Sequence, residues 1–521
     1  NLAAYVSALG ARETYRWDAA GNLLEAVGAA GERTTYTWSA TGELLAQAGP
    51  EGARIWEYDA TGNPVASTDA LGNRTAWEWD KDGRPVAETS PAGAVTAFTW
   101  DAAGNLAAVT DALGNVSRAE YDPMGRVTKA LGPTGAETLY GYDALGNLAS
   151  VTDAQGAETS YGYDAEGRLS QVTDALGRTT RYGRDAEGGL TSVEGPDGTA
   201  EQLQLDPAGR VSAMVDGTGN VTAYRWDELD RLAEKSYPGT EYAPVTYGYE
   251  GAGQGFSTRN DSVGEAGREY DQLGRLVAET DAAGRRIGYE WNEAGRLAVL
   301  EYPDGTKVRY SYNEAGRLAR ADAADGAYLY EYDEEGRPVR LTRPDGTVTR
   351  WAYDALGQVT EAVTEGAGGQ PLAAFAYSYD ADGNPVAERS SVVQPDGTSL
   401  LRSRAYAYDE TGKLTSFEER DGNEQLLVRE AYSWDAAGNR TAIARTAGEN
   451  PGQILFAYDE ANRLVGKSGA DGAASYAYDR AGRLVSVQEE DGRERTFSYG
   501  AEGRLAAVRE GGRVLFAAVW D

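Results

Sequence analysis

In 521 residues the chain contains neither cysteine nor histidine. Without cysteine no disulfide can staple the fold and no thiolate can serve as nucleophile or metal ligand. Without histidine the commonest general base and a principal zinc ligand are missing. Proline is sparse, at 17 residues, so the chain is not a Pro-rich linker. No apolar run approaches the roughly 18 residues a membrane-spanning helix requires. Positive charge is scarce too: 49 basic against 82 acidic residues give a net charge of −33. Such a surface repels phosphate backbones and argues against a nucleic-acid partner. Its plainest consequences are solubility and suppressed self-association. The first residue is Asn1 and no signal-peptide pattern precedes the repeats, as expected of a processed or trimmed piece.

Glycine, by contrast, is plentiful (66 residues), and 41% of the chain is hydrophobic, too much for disorder. An aromatic followed two residues later by Tyr or Trp, usually with Asp next, recurs about every 21 residues: Tyr15/Trp17, Trp77/Trp79, Tyr140/Tyr142, Tyr161/Tyr163, Tyr310/Tyr312 and Tyr476/Tyr478 are examples. There are about 23 copies, two of them weak, at Arg184 and Leu205. A fixed period in this range marks a repeat architecture. It overrides the several domains that length alone suggests. The expectation is one array over residues 1–521, with longer, irregular hairpins around 237–270 and 354–458.

Residues 137–157 show how one unit works. Thr138–Tyr142 alternates, which puts Tyr140 and Tyr142 on one face of a strand. Asp143-Ala144-Leu145-Gly146 is a turn: Asp caps its own backbone, and Gly supplies the positive φ of a type I turn with a bulge. Leu148–Thr152 is a second strand, and Asp153–Gly156 a second turn. A Gly about every ten residues and the absence of a 3.6-residue stripe exclude helix and predict an all-β chain of hairpins.

About 41 of the 51 aromatics fall on the paired positions. Such concentration predicts a packing spine in which each aromatic stacks on the copy before it. A carbohydrate-stacking surface would not need the same pair in almost every unit. At two strands per unit the sheet would run on the order of 200 Å, too long to stay flat. It is expected to curl into a spiral that stacks turn on turn, buries the sheet's edges and closes a hollow, barrel-like wall.

The run Y-x-Y-D-A-x-G-R/N-L-x-x-V-T-D-A-x-G, as at Thr138–Ala157 and Tyr161–Arg178, resembles the YD repeat of the RHS proteins over nearly the whole chain. Tyr247–Gly255 is similar to a Gly-rich variant unit of that family. The resemblance implies a YD-repeat β-hairpin spiral forming a hollow shell around a C-terminal toxin or effector. Relatives include bacterial toxin-encapsulating shells, the cocoon subunits of insecticidal toxin complexes, and teneurin-like adhesion receptors. It further implies secretion or display on a bacterial cell surface. The family's self-cleaving core segment and an attached toxin are not identified here. Asp122-Pro123 and Asp206-Pro207 are turn variants, and the chain stops at Trp520-Asp521.

Active-site chemistry has little to work with. The Asp residues sit one per turn, where turn formation accounts for them, not in the facing pairs of a glycosidase. The D-x-D-x-D-G calcium pattern and the phosphate-cradling P-loop are absent. The reading is therefore a non-catalytic shell with no cofactor and no metal site. Its partner would be an enclosed polypeptide cargo or a cell-surface ligand. An adhesion module binding carbohydrate or protein is the alternative, and a polysaccharide-acting enzyme ranks last.

Overall fold

The computed structural model describes residues 1–7, 11–50, 52–250, 255–260, 264–500 and 503–518. Among these there are 48 strands and no helix, and each strand pairs antiparallel with the next in one open sheet. The typical unit follows its sequence closely: Glu137–Tyr142, then Leu148–Thr152, then Glu158–Tyr163. Parts of the 237–270 irregularity, residues 251–254 and 261–263, lie outside the described residues; these include four of the nine residues of the Gly-rich variant unit, and the terminal Trp520-Asp521 lies outside them too.

Turn chemistry determines the hairpins. In the turn after Tyr142, the Asp143 amide donates to Asn147 O (2.9 Å) and the Gly146 amide to Asp143 O (3.1 Å). The Asp143 carboxylate accepts from the amides of Leu145 and Asn147 at 2.9 and 2.8 Å, and from Asn147 Nδ2 at 3.0 Å. Gly146 has φ +92°, the left-handed region glycine favours. Where glycine is replaced in other turns, Asp230, Glu424 and Asn462 take the same conformation at φ +60°, +62° and +61°. Immediately after the turn the register slips. Tyr142 faces Leu148 but Gly141 faces Ser150, which leaves Ala149 as a bulge. The second turn, Asp153–Ala157, returns to the sheet without a slip. Every hairpin of this form is thus kinked at one end only, and a bulge bends and twists its strand.

Repeated in one sense, the kink curls the sheet into a spiral. Turns from the first part of the chain meet turns 243 to 281 residues later. About 24 strands therefore make one circuit, a circumference on the order of 115 Å. This is the hollow, barrel-like shell expected from the repeat, with one correction. Stacking joins the ends of strands and does not bury the sheet's edges. Among the described residues, Ala4–Val6 pairs only with Arg12–Trp17, and Arg513–Ala517 only with Leu505–Glu510. Hydrogen bonds cannot close the two edges on each other, because the circuits are offset along the spiral axis.

The wall is one sheet thick, so a conventional core is missing. Among the described residues only nine apolar side chains are buried, six of them alanines such as Ala66 and Ala278 at 0% exposure. Strands of five or six residues are usual, but between Pro371 and Ala447 they lengthen to eight to ten. Thr349, which its strand position suggests is exposed, is in fact buried, against Thr364 Oγ1 at 3.0 Å.

Gly146→Val is expected to lower the thermal midpoint more than Thr37→Val, at an exposed strand site. A β-branched residue at positive φ costs about 1–3 kcal/mol. Equal midpoints by circular dichroism would contradict the turn assignment.

Candidate functional site

Two features recur: the aromatic face of the wall and the line where successive circuits touch. On the aromatic face, the second ring of each pair reaches across to the hairpin before it. Trp17 Nε1 donates to Leu2 O (2.7 Å), Trp79 Nε1 to Pro64 O (2.7 Å) and Tyr142 Oη to Val127 O (2.8 Å). Tyr163 donates to Leu148 O (2.8 Å), Tyr312 to Leu297 O (2.7 Å) and Tyr478 to Leu464 O (3.0 Å). Apart from Leu2, the acceptor is the first residue after the preceding turn, beside the bulge. Even the weak unit at Arg184 conforms, since its guanidinium donates to Leu169 O at 3.5 Å. Leu205, in the other weak unit, has no such donor.

The first ring of each pair packs over its cross-strand partner: Tyr15 opposes Ala26, Trp77 Glu88 and Tyr140 Val151. Likewise Tyr161 opposes Val172, Tyr310 Ala321 and Tyr476 Val487. Tyr15 also donates to Glu13.

Among the described residues no ring stacks on its counterpart in the neighbouring copy, contrary to the sequence expectation. Equivalent strands lie two strand spacings apart, about 10 Å, beyond the 4.5–7 Å of a ring pair. Turn arginines fill the interval. Arg126 lies 4.3 Å from the Tyr142 centroid, Arg337 4.7 Å from Tyr353 and Arg463 5.4 Å from Tyr478. Each also grips its own turn carboxylate, as Arg126 grips Asp122 at 2.6 Å. One cation thus ties turn, ring and neighbouring hairpin together, a role that the recurring Gly-Arg dipeptide signals in the sequence only in retrospect.

The turn carboxylates are committed. Hydrogen bonds from the side chain of Asn147 hold Asp143 below the usual carboxylate range, and those from the side chains of Thr61 and Asn63 hold Asp59 well below it. Burial works in the opposite sense and is outweighed. Carboxylates so depressed are poor proton carriers near neutral pH. Among the described residues no three Asp or Glu side chains are grouped to hold a metal ion.

The line between circuits was not legible as a site. Here Arg463 pairs with Asp197 (2.8 Å), Arg483 with Asp216 (3.7 Å) and Arg317 with Asp69 (4.0 Å). Gln155 Nε2 donates to Asp409 (2.9 Å), the Ala92 amide to Glu335 (2.9 Å) and Arg178 Nη1 to Asp459 O (3.0 Å). Thr134 bonds Asp382. Gly217 stands where other turns carry Ala, and a Cβ there would lie 1.9 Å from Arg480 O. That extra glycine was the one available signal. The irregular turn after Tyr237 also belongs here, since Tyr242 comes within 3.6 Å of the place a Gly500 Cβ would occupy.

A model of the RHS repeat matches ten segments: residues 17–54, 58–96, 100–137, 142–179, 163–200, 206–242, 270–307, 332–370, 458–494 and 478–514. Together they cover about two thirds of the chain. The chain belongs to the RHS-repeat family. Its fold is similar to that in the Photorhabdus luminescens Tc holotoxin pore carrying a TccC3 mutation, with TM-score 0.63 and 15% identity over 95% of this chain and 29% of that one. It also resembles TcdB2-TccC3 without its hypervariable C-terminal region (TM-score 0.53, 15% identity, 96% of this chain and 34% of that one). TcdB2-TccC3-TEV is comparable, at TM-score 0.51 and 14% identity over 95% of this chain and 34% of that one. The RHS-repeat chain spans about a third of the solved chains it matches, and at these identities the likeness is one of fold. No curated protein sequence matches it.

Two outcomes test the site. Tyr142→Phe keeps the ring but leaves Val127 O without its donor, so a loss of about 0.5–1.5 kcal/mol is expected in urea denaturation. A neutral result would show the reach-back bond to be incidental. Turn carboxylates such as Asp59 and Asp143 titrate below their ordinary value of about 3.9, so their stabilisation is complete above it and drains away as pH falls through the depressed values. The thermal midpoint is therefore expected to drop below about pH 4; a midpoint that rises between pH 5 and 3 would contradict the assignment.

Proposed function

We propose that this RHS-repeat chain is a non-catalytic wall of a secreted or cell-surface protein, and that the space it encloses holds a polypeptide cargo such as a toxin. One observation carries the reading. The chain exposes 28,844 Å², where a compact globule of this length would expose roughly 18,000 Å². The excess is what a single-layer sheet wrapped around a void presents. With a circumference on the order of 115 Å and a sheet about 10 Å thick, the bore is on the order of 25 Å, wide enough for a polypeptide in extended or helical form. The RHS repeat family and the fold shared with Tc toxin structures support the same reading. The committed turn carboxylates support a structural role over a hydrolytic one.

The lengthened strands between Pro371 and Ala447 favour a second reading, ligand binding at one rim. They carry Leu400 and Leu401 at 40% and 45% exposure near their turn.

Solution scattering tests the wall. A hollow shell is expected to show a radius of gyration well above the roughly 24 Å of a compact chain of this length, with a pair-distance distribution depleted at its centre. A compact radius would refute the container. Polysaccharide hydrolysis, abolished by a single carboxylate substitution that spares folding, would instead establish an enzyme.

A further inference from the structure

The wall is held together in two unlike ways. Along the sheet, each strand is joined to the next by a ladder of backbone hydrogen bonds, three to seven residue pairs deep in most hairpins. Between circuits, the described residues make no backbone-to-backbone hydrogen bond. The seam consists of about one side-chain contact per hairpin, such as Arg463–Asp197 and Gln155–Asp409. The charged pairs among them are partly buried, with 14–24% of each side chain exposed, so desolvation offsets much of their attraction and each adds little.

Packing along the seam is also poor. Clefts of 590, 630 and 380 Å³, open to solvent, lie between circuits, with Leu176 and Glu460, Ala29 and Trp291, and Gly217 and Arg480 on opposite walls. Arg178 Nη2 and Arg317 Nη1, both at the seam, are buried without a hydrogen-bond partner, an uncompensated cost. No cysteine is present to lock the circuits, and both circuits share the excess of negative charge.

We propose that the shell opens along this seam: turns between residues 29 and 242 part from turns between residues 291 and 500 while the sheet on either side stays intact. The spiral then behaves as a ribbon that loosens, as a coil spring does, and no strand need be pulled from its neighbour. Close approach at Gly217 is the latch most sensitive to substitution, because any side chain there meets the Arg480 backbone. The inference concerns the wall itself and holds with or without a cargo.

Spin labels test it in the full chain, whose lack of native cysteine makes introduced thiols unique. One pair, Leu176→Cys with Glu460→Cys, spans the seam across its cleft; neither side chain makes a seam bond. A second pair, Leu113→Cys with Leu176→Cys, lies along the sheet within one circuit. Electron–electron distances are measured from zero to mildly denaturing urea, and again with Gly217→Val added. The seam pair is expected to gain a population longer by more than about 10 Å, two strand widths, while the within-circuit pair stays unchanged until the β-sheet circular dichroism is lost. If Gly217→Val fails to fold, the urea series on the otherwise unaltered chain decides. Seam and sheet distances that lengthen together, or a seam distance that stays single up to global unfolding, would overturn the proposal. The experiment is independent of scattering, so a hollow shell with a rigid seam would refute this inference and leave the container standing.

Discussion

The Asp-to-Gly turn with the bulge beside it is the constraint on which the rest of the wall depends. Asp143 satisfies the turn amides with its own carboxylate, and Gly146 accepts a backbone angle that other residues resist. The closure forces Ala149 out of the ladder. Three consequences follow from that one displaced residue. The strand bends, so repeated hairpins curl. The carbonyl beside the bulge accepts from the next repeat's Tyr or Trp, as Leu148 O does from Tyr163. Where an arginine ends the turn, as Arg126 does, it is placed over that same ring.

Stability in this architecture is lateral. With only nine buried apolar side chains among the described residues, no hydrophobic centre holds the protein together as in a globular domain. Half-buried rings, guanidinium stacks and ladder bonds link each hairpin to its neighbours, the nearest-neighbour energetics of repeat proteins. A price attaches to this economy: the circuits meet only through their turns, and the turns were already committed to closing hairpins.

Some of this was legible early. The 21-residue beat, the two-residue offset of the rings and the Asp/Gly turns specified all-β hairpins, and the strand Leu148–Thr152 matches its predicted limits. Ring-on-ring stacking was the natural inference from aromatic repetition, yet it failed because a repeat holds two strands and so places equivalent rings too far apart. Arg184 shows the reverse case. It reads as a defect in the aromatic pattern, but its guanidinium reaches the same carbonyl that a tyrosine would.

The sequence by itself determined whatever is local: strand length, turn type, the face each ring occupies, and hence the RHS-repeat family. These depend on residues within one period, where spacing and chemistry are visible together. The tertiary structure alone decided the circuit of about 24 strands and the pairs it brings into register, Asp197 with Arg463 and Gly217 with Arg480. The circuit length is a sum of small bends over a dozen hairpins, and a slight change in each would bring a different turn opposite Asp197. No single repeat carries that sum, so no motif in the sequence could announce the seam.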